Sequence, residues 1–267
     1  PPQLRVNGEL LIFGGAPLSS EDLISFSDQL LSKQEIKEKF LKFKEVDFSY
    51  VYTSDEYTYR YRVNLFTAGG NIAIAMRQIS NEIKSIDQLG LPSMLKNLTK
   101  LNQGLILVVG PTGCGKSTTI AALINEINLQ YAKHIVTIED PVEYIFPKSK
   151  SLLVQRELYS DTLSWATALK SVLREDPNVV LIGEIRDQDT MRAALQISET
   201  GHLVFATMHT NSAADSIERI IYSFDGSEQQ QIRAMLANVV SGIISQRLVP
   251  MIGSGRIAAI EIMLSTT

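Results

Sequence analysis

The chain is poor in the residues that build redox and metal centres: its 267 residues include one cysteine and three histidines. A single cysteine excludes an intrachain disulfide and any multi-cysteine zinc site, and it fits a reducing compartment. Charge of one sign is also lacking, with 25 basic residues against 29 acidic ones and a net charge of −4. That balance argues against a broad electrostatic footprint for nucleic acid, although a local basic face stays open. No apolar run approaches the roughly 18 residues of a spanning helix, and no secretory leader opens the chain, so no membrane insertion is expected. No internal repeat or low-complexity tract is evident. The chain begins at Pro1 rather than methionine and stops at Thr267 after an apolar run, so a longer natural chain is expected. What is present suits a globular protein: 45% hydrophobic residues suffice for a real core, and the length allows one large or two modest domains.

Two compositions meet near residue 85. Before it, residues 48–52 and 57–64 alternate polar with aromatic or β-branched side chains, the period of strands with one wet face. Residues 20–43 carry helical spacing, with Leu23, Phe26, Leu30 and Leu31. Residues 1–80 therefore read as a small α+β domain, and 81–92, with Gly90 and Pro92, as a linker. From 93 to 267 the grammar is α/β. Continuous apolar runs at 104–109, 134–138, 179–183 and 202–208 alternate with helical stretches, which predicts a parallel sheet covered on both faces. Asp161 is placed to cap a helix bearing Leu163, Ala166, Leu169 and Leu173, and Asp187 to start one that ends at Gly201. Two further helices are expected at about 212–224 and 228–245, then two closing strands around Gly253-Ser254-Gly255.

The stretch Gly110-Pro111-Thr112-Gly113-Cys114-Gly115-Lys116-Ser117 matches the phosphate-loop pattern in full, after an apolar run and before a helical one. Its glycines let backbone N–H groups wrap phosphates, Lys116 reaches the β- and γ-phosphates of ATP, and Ser117 offers its hydroxyl to Mg²⁺. The following helix, which continues through Thr118, aims its N-terminus at the anion. Cys114 reads as a small filler rather than a redox switch.

Ligands of an open α/β sheet bind beyond the carboxyl ends of its strands. Past the second run come Glu139, Asp140 and Glu143; past the third, Glu184 and Arg186; past the fourth, His209. Four strands thus deliver a phosphate cradle, carboxylates and an imidazole to one edge. In Val179–Asp187 the acid comes one residue late, after Gly183, which reads as a close approach of backbone to nucleotide. One of Glu139 and Glu184 should hold the Mg²⁺ water shell and the other orient the attacking water, a division that spacing leaves open. His209 reads as a γ-phosphate sensor. His202 starts the same run ~20 Å away, too far to share a metal with it, and His202 and His134 read as structural.

Together, GPTGCGKSTT, TIEDPVEY, LREDPNVVLIGEIRD and TGHLVFATMHTNSA resemble the Walker A, Asp box, Walker B and His box of the secretion-type hexameric ATPases. Within that superfamily they resemble the PilT-like retraction motors of type IV pili. The resemblance covers almost the whole chain, including YRVNLF and AMRQIS near the N-terminus. It implies a RecA-like ATPase domain, a PAS-like N-terminal domain, a homo-hexameric ring and ATP hydrolysis with Mg²⁺ bound by Ser117 and Glu184. It further implies catalytic roles for Glu139, Glu184 and His209, and for Arg62 and Arg77, with Arg60 beside them, as arginines given to a neighbour's nucleotide. The implied setting is the cytoplasmic side of the inner membrane, against a pilus platform protein. Assembly ATPases usually carry a four-cysteine zinc module that this sequence lacks, which favours retraction, and the C-terminal signature of retraction motors would lie beyond Thr267.

Pilus assembly, secretion and conjugative DNA transfer are the alternatives within the superfamily. A nucleic-acid translocase would want a basic groove with stacking aromatics. Tyr57, Tyr59 and Tyr61 are the sole candidates, and they read as packing residues. A small-molecule kinase lacks an acceptor lid here. Intact Lys116, Glu139 and Glu184 argue against a nucleotide binder without turnover.

Overall fold

The computed structural model describes every residue except 7, 8, 56, 80, 81, 254, 266 and 267. The chain forms two compact units, Pro1–Asn81 and Glu82–Thr267. Of the stretch expected as a linker with its flank, Ser80 and Asn81 lie outside the described residues. Ile86 and Leu91 are buried in a core of the second unit.

In the first unit, β1 (Gln3–Val6) and β2 (Glu9–Ile12) form an antiparallel hairpin, followed by α1 (Ser20–Leu30) and α2 (Gln34–Phe43). The single helical stretch expected at 20–43 is in fact two helices. Ser19 and Asp22 make a reciprocal capping box at the start of α1, and Leu31 leaves the helical region at φ −82°, ψ 49°. The break lets the consecutive leucines Leu30 and Leu31 both reach the core, which an unbroken helix would place about 100° apart. Then β3 (Glu45–Thr53), β4 (Thr58–Ala68) and β5 (Asn71–Ile79) form an antiparallel sheet in the order β3-β4-β5. Its inner face carries Val46, Phe48, Val63 and Leu65, with Tyr61 packed against them. Tyr57 and Tyr59 instead stack on each other at 5.9 Å. By strand alternation Arg60 and Arg62 lie on the face opposite Val63, and register sets Arg62 directly across from Arg77.

The second unit begins with α3 (Leu95–Leu98) and β6 (Gly104–Val109), then α4 (Lys116–Gln130), β7 (His134–Glu139) and β8 (Leu152–Glu157). It continues with α5 (Trp165–Val172), β9 (Val179–Ile182), α6 (Gln188–Glu199), β10 (Leu203–Met208), α7 (Ala213–Tyr222), α8 (Gln229–Val239), β11 (Val240–Pro250) and β12 (Arg256–Leu264). The sheet order is β12-β11-β6-β10-β9-β7-β8, parallel throughout except for the antiparallel β12. All six residues of β6 and of β10 are buried, because helices cover both faces. Leu105, Leu107 and Val109 face one core, while Ile106 and Val108 join Ile120, Leu123 and Ile124 of α4 in the other.

Two local expectations are corrected and one strand is added. The strand β8 was not anticipated, since its LLVQRE pattern alternates only weakly. The cap of α5 is Ser164, whose side chain accepts from the Thr167 N–H; Asp161 accepts from the Glu157 N–H instead, and Leu163 is 84% exposed. The helix expected at 228–245 ends at Val239. The β-branched run and Gly242 that follow pair with the open edge of β6, a tertiary pairing that local spacing does not reveal.

Candidate functional site

At the end of β6 the chain turns through Gly110 into a loop that enters α4 at Lys116. The N-cap of α4 is Gly115, at φ 90°, with no side chain accepting from the first turn. The N–H groups there remain available to an anion. Lys116 is buried, and its Nζ donates to the carbonyls of Gly110 at 2.8 Å and Pro111 at 3.0 Å. Burial pushes its pKa down, against the pull of Cys114, Glu184 and Glu143. Thr118 shares a 2.8 Å hydrogen bond with the Tyr144 hydroxyl. Cys114 is buried inside the loop beside Gly110, where its sulfur would meet any added Cβ, so it fills space as read.

The ends of β9 and β10 bring two of the expected groups to this loop. His209 Nδ1 lies 3.5 Å from both Lys116 Nζ and Thr112 Oγ1, and its Nε2 lies 3.1 Å from Glu184 Oε1. Lys116 can only donate, so an imidazole that accepts at Nδ1 would present its Nε2–H to Glu184. Arg186 Nη2 donates to Glu184 Oε2 at 2.8 Å. Burial pushes the Glu184 carboxyl up, but Arg186 and His209 outweigh it and hold the group below the ordinary carboxylate value. Glu184 is therefore an anion, anchored on both oxygens. A cavity of about 590 Å³ adjoins it, lined by Glu184, Arg186, Met208, His209, Asn211 and Arg219 among others.

Gly183 makes a close backbone approach to β7. A Cβ there would lie 3.2 Å from Glu139 Cα and from the Ile138 carbonyl. Its N–H donates to Ile138 at 2.8 Å, and its carbonyl accepts from Thr207 at 2.6 Å. The small residue lets β9 end tightly against β7, and that packing fixes where Glu184 begins.

Glu139 is not displayed at the edge as Glu184 is. It is 8% exposed and accepts from Thr137 Oγ1 at 2.8 Å, Gln155 Nε2 at 3.2 Å and the Glu143 N–H at 3.4 Å. Burial raises its pKa to about 7 despite those bonds. The acid of this segment whose charge reaches Lys116 is Glu143, which is exposed. Sequence reading noted Glu143 but gave it no role; the available signal was its place four residues past the strand end. Gln155 extends the arrangement by donating to the Tyr144 carbonyl at 2.8 Å and accepting from the Phe146 N–H at 3.2 Å.

A pH effect on stability follows from Glu139. Its pKa rises from 4.5 unfolded to about 7 folded, so the native state binds the proton more tightly. Stability should fall as pH climbs from about 4.5 through 7, and the group's burial penalty, of order 3 kcal/mol at most, is complete above that. Glu139→Gln is expected to flatten this slope and to raise the melting temperature at pH 8. Thermal melts of both proteins at pH 5 and pH 8 check it; parallel profiles would sink the assignment.

The remaining sequence candidates fall into two groups. His134 Nδ1 lies 3.2 Å from the Asp176 carbonyl and His202 Nδ1 3.1 Å from that of Ile197, both structural contacts. In the first unit, Arg62 and Arg77 are exposed, with Asp47 3.9 Å from Arg62, and Arg60 Nη1 is buried without a hydrogen-bond partner among the described residues. Like charges directly across a strand pair repel, so this arginine face suits an anion.

For a divalent cation the donor chemistry is that of Mg²⁺. Ser117 offers a hydroxyl, and the ionised Glu184 offers hard oxygen. Among the described residues no cluster of three or more His, Cys, Asp or Glu could cage a metal. Mg²⁺ commonly binds through one or two protein oxygens, water and substrate phosphates.

A family model described as "Type II/IV secretion system protein" matches residues 30–258. Over 266 residues the chain is 40% identical to the type IV pilus retractation ATPase PilT of Pseudomonas aeruginosa, covering 100% of this chain and 76% of that protein. It is 41% identical over 265 residues to the twitching motility protein of Neisseria gonorrhoeae, covering 99% and 70%. Among solved structures it resembles a crystal structure of the pilus retraction motor PilT with bound ADP, at a TM-score of 0.93 and 44% identity, over 100% of this chain and 77% of that one.

Proposed function

The chain belongs to the type II/IV secretion system protein family, and on that premise we propose that it is a ring-forming motor ATPase that hydrolyses Mg-ATP to retract type IV pili. The observation that carries this reading is the contact series from the phosphate loop through His209 to an ionised Glu184. Its similarity over the full chain to a retraction ATPase and to a twitching motility protein supports the choice of retraction.

ATP binding exchanges the Gly110 and Pro111 carbonyls for phosphate oxygens as partners of Lys116. Loop and α4 N–H groups take the remaining charge. Ser117, and Glu184 through water, would hold Mg²⁺, which when bound neutralises charge on the transferring phosphate. Glu143, exposed and with its charge acting on Lys116, is the acid that would orient the attacking water. Glu139, its pKa raised to about 7 by burial, fixes the backbone of that loop at Glu143. His209 lies between Lys116 and Glu184 and reports whether the γ-phosphate is present. Arg62 and Arg77, with Arg60, stabilise the transition state in a neighbouring subunit of a homo-hexamer. Such a ring works on the cytoplasmic face of the inner membrane against a platform protein. Among the described residues no helix is long and apolar enough to cross a membrane.

The protein is expected to hydrolyse ATP with Mg²⁺ and without nucleic acid. Steady-state phosphate release with and without added DNA checks this, and turnover that requires DNA would favour a translocase instead.

A further inference from the structure

Gln246 lies on β11, yet its side chain holds the phosphate loop at Cys114 and the first turn of α4 at Thr119. Its Nε2 donates to the Cys114 carbonyl at 2.7 Å, and its Oε1 accepts from Thr119 Oγ1 at 2.7 Å. Both bonds are interior, with Gln246 2% and Thr119 1% exposed. The position is a fork in the sheet. Ser245 pairs with Val109, the last residue of β6; one residue later the β6 chain becomes Gly110 of the loop, while β11 continues against β12 alone.

Gln246 also bounds the loop sterically. A Cβ on Gly110 would strike the Gln246 carbonyl oxygen, and one on Gly115 would lie 2.8 Å from Gln246 Nε2. The two glycines sit at φ 144° and 90°, so the loop is curved around this one residue at both its ends.

We propose that Gln246 is a positioning residue for the nucleotide phosphates. It touches the loop, not the nucleotide, and holds residues 114–116 in the curvature that leads into the N-terminus of α4. A primary amide donates to a carbonyl and accepts from a hydroxyl at the same time. An ionised Glu has no donor and sets a negative charge against the Cys114 carbonyl. A Met keeps the length but leaves two buried polar groups unpaired, which drives the loop to rearrange.

This inference rests on the nucleotide-site reading, and the test separates the two. A fluorescent ADP analogue is titrated into the full chain carrying Gln246→Met, Gln246→Glu or Thr119→Val, with melting temperatures recorded in parallel. Gln246→Met should weaken ADP binding about tenfold or more. Thr119→Val should weaken it less, and the double variant should bind no more weakly than Gln246→Met alone, because the Met has already broken the shared bond and the Val removes the hydroxyl it left unpaired. Measured against wild type at each pH, Gln246→Glu should recover affinity from pH 8 to pH 5.5 as protonation restores its donor, while Gln246→Met stays flat. Wild-type affinity in a folded Gln246→Met protein would overturn the proposal, as would Gln246→Glu tracking Gln246→Met at every pH. If Gln246→Met does not fold, unchanged affinity in Thr119→Val overturns it. Wild-type protein that fails to bind ADP overturns the nucleotide-site reading itself.

Discussion

Glu184→Gln is expected to lower ATP turnover by at least about a hundredfold while ADP affinity stays within a few-fold of wild type. The substitution is close to isosteric, so β9 and the Gly183 contact with β7 should survive. What changes is charge. Glu184 is held ionised by Arg186 at 2.8 Å and His209 at 3.1 Å, and the proposed reaction needs that anion beside the metal shell. In the proposed site the phosphates are held elsewhere, by the loop and Lys116, which is why binding should persist. Turnover and ADP titration on one preparation separate the outcomes. Loss of binding together with turnover would mean that Glu184 maintains the loop rather than the chemistry.

Arg62→Ala is expected to cut turnover by about a thousandfold, the lower end of what an arginine finger supplies, with nucleotide affinity nearly intact. In the folded chain Arg62 faces Arg77 across the β4–β5 ladder. Its ion pair to Asp47 is 3.9 Å long between exposed groups. Such a pair contributes little to stability, and removing one of two opposed like charges should leave the melting temperature unchanged or slightly raised. Thus a large kinetic loss would not come from unfolding. Action on a neighbour predicts more: mixing inactive Arg62→Ala with inactive Glu184→Gln subunits should restore part of the activity, because some interfaces then pair an intact arginine with an intact carboxylate. An unchanged rate in Arg62→Ala, or mixtures as inactive as their parts, would remove Arg62 from the finger role.

Much of the phosphate site was legible because its parts obey local rules. The glycine spacing of residues 110–117 dictates backbone shape, and strand ends of an α/β sheet point to one edge, so Glu184 and His209 were found before any fold was known. What escaped depends on contacts distant in sequence. The different fates of Glu139 and Glu143 are set by Thr137 and by Gln155 on β8, and β8 itself was unread. Gln246 carries no local signal at all, since its meaning lies in bonds to Cys114 and Thr119, 132 and 127 residues away. The misread helix at 228–245 has the same origin, because the open edge of β6 decides for strand after Val239. Gly183 was legible as a position of close backbone approach, but its contact with β7 was not.

The central claim, that this ATPase cycle retracts pili, is tested most directly in cells of the source bacterium whose chromosomal gene carries Glu184→Gln, with surface pili counted by electron microscopy. The account predicts cells that keep or accumulate pili and do not twitch. Cells stripped of pili would instead assign the motor to assembly and contradict it.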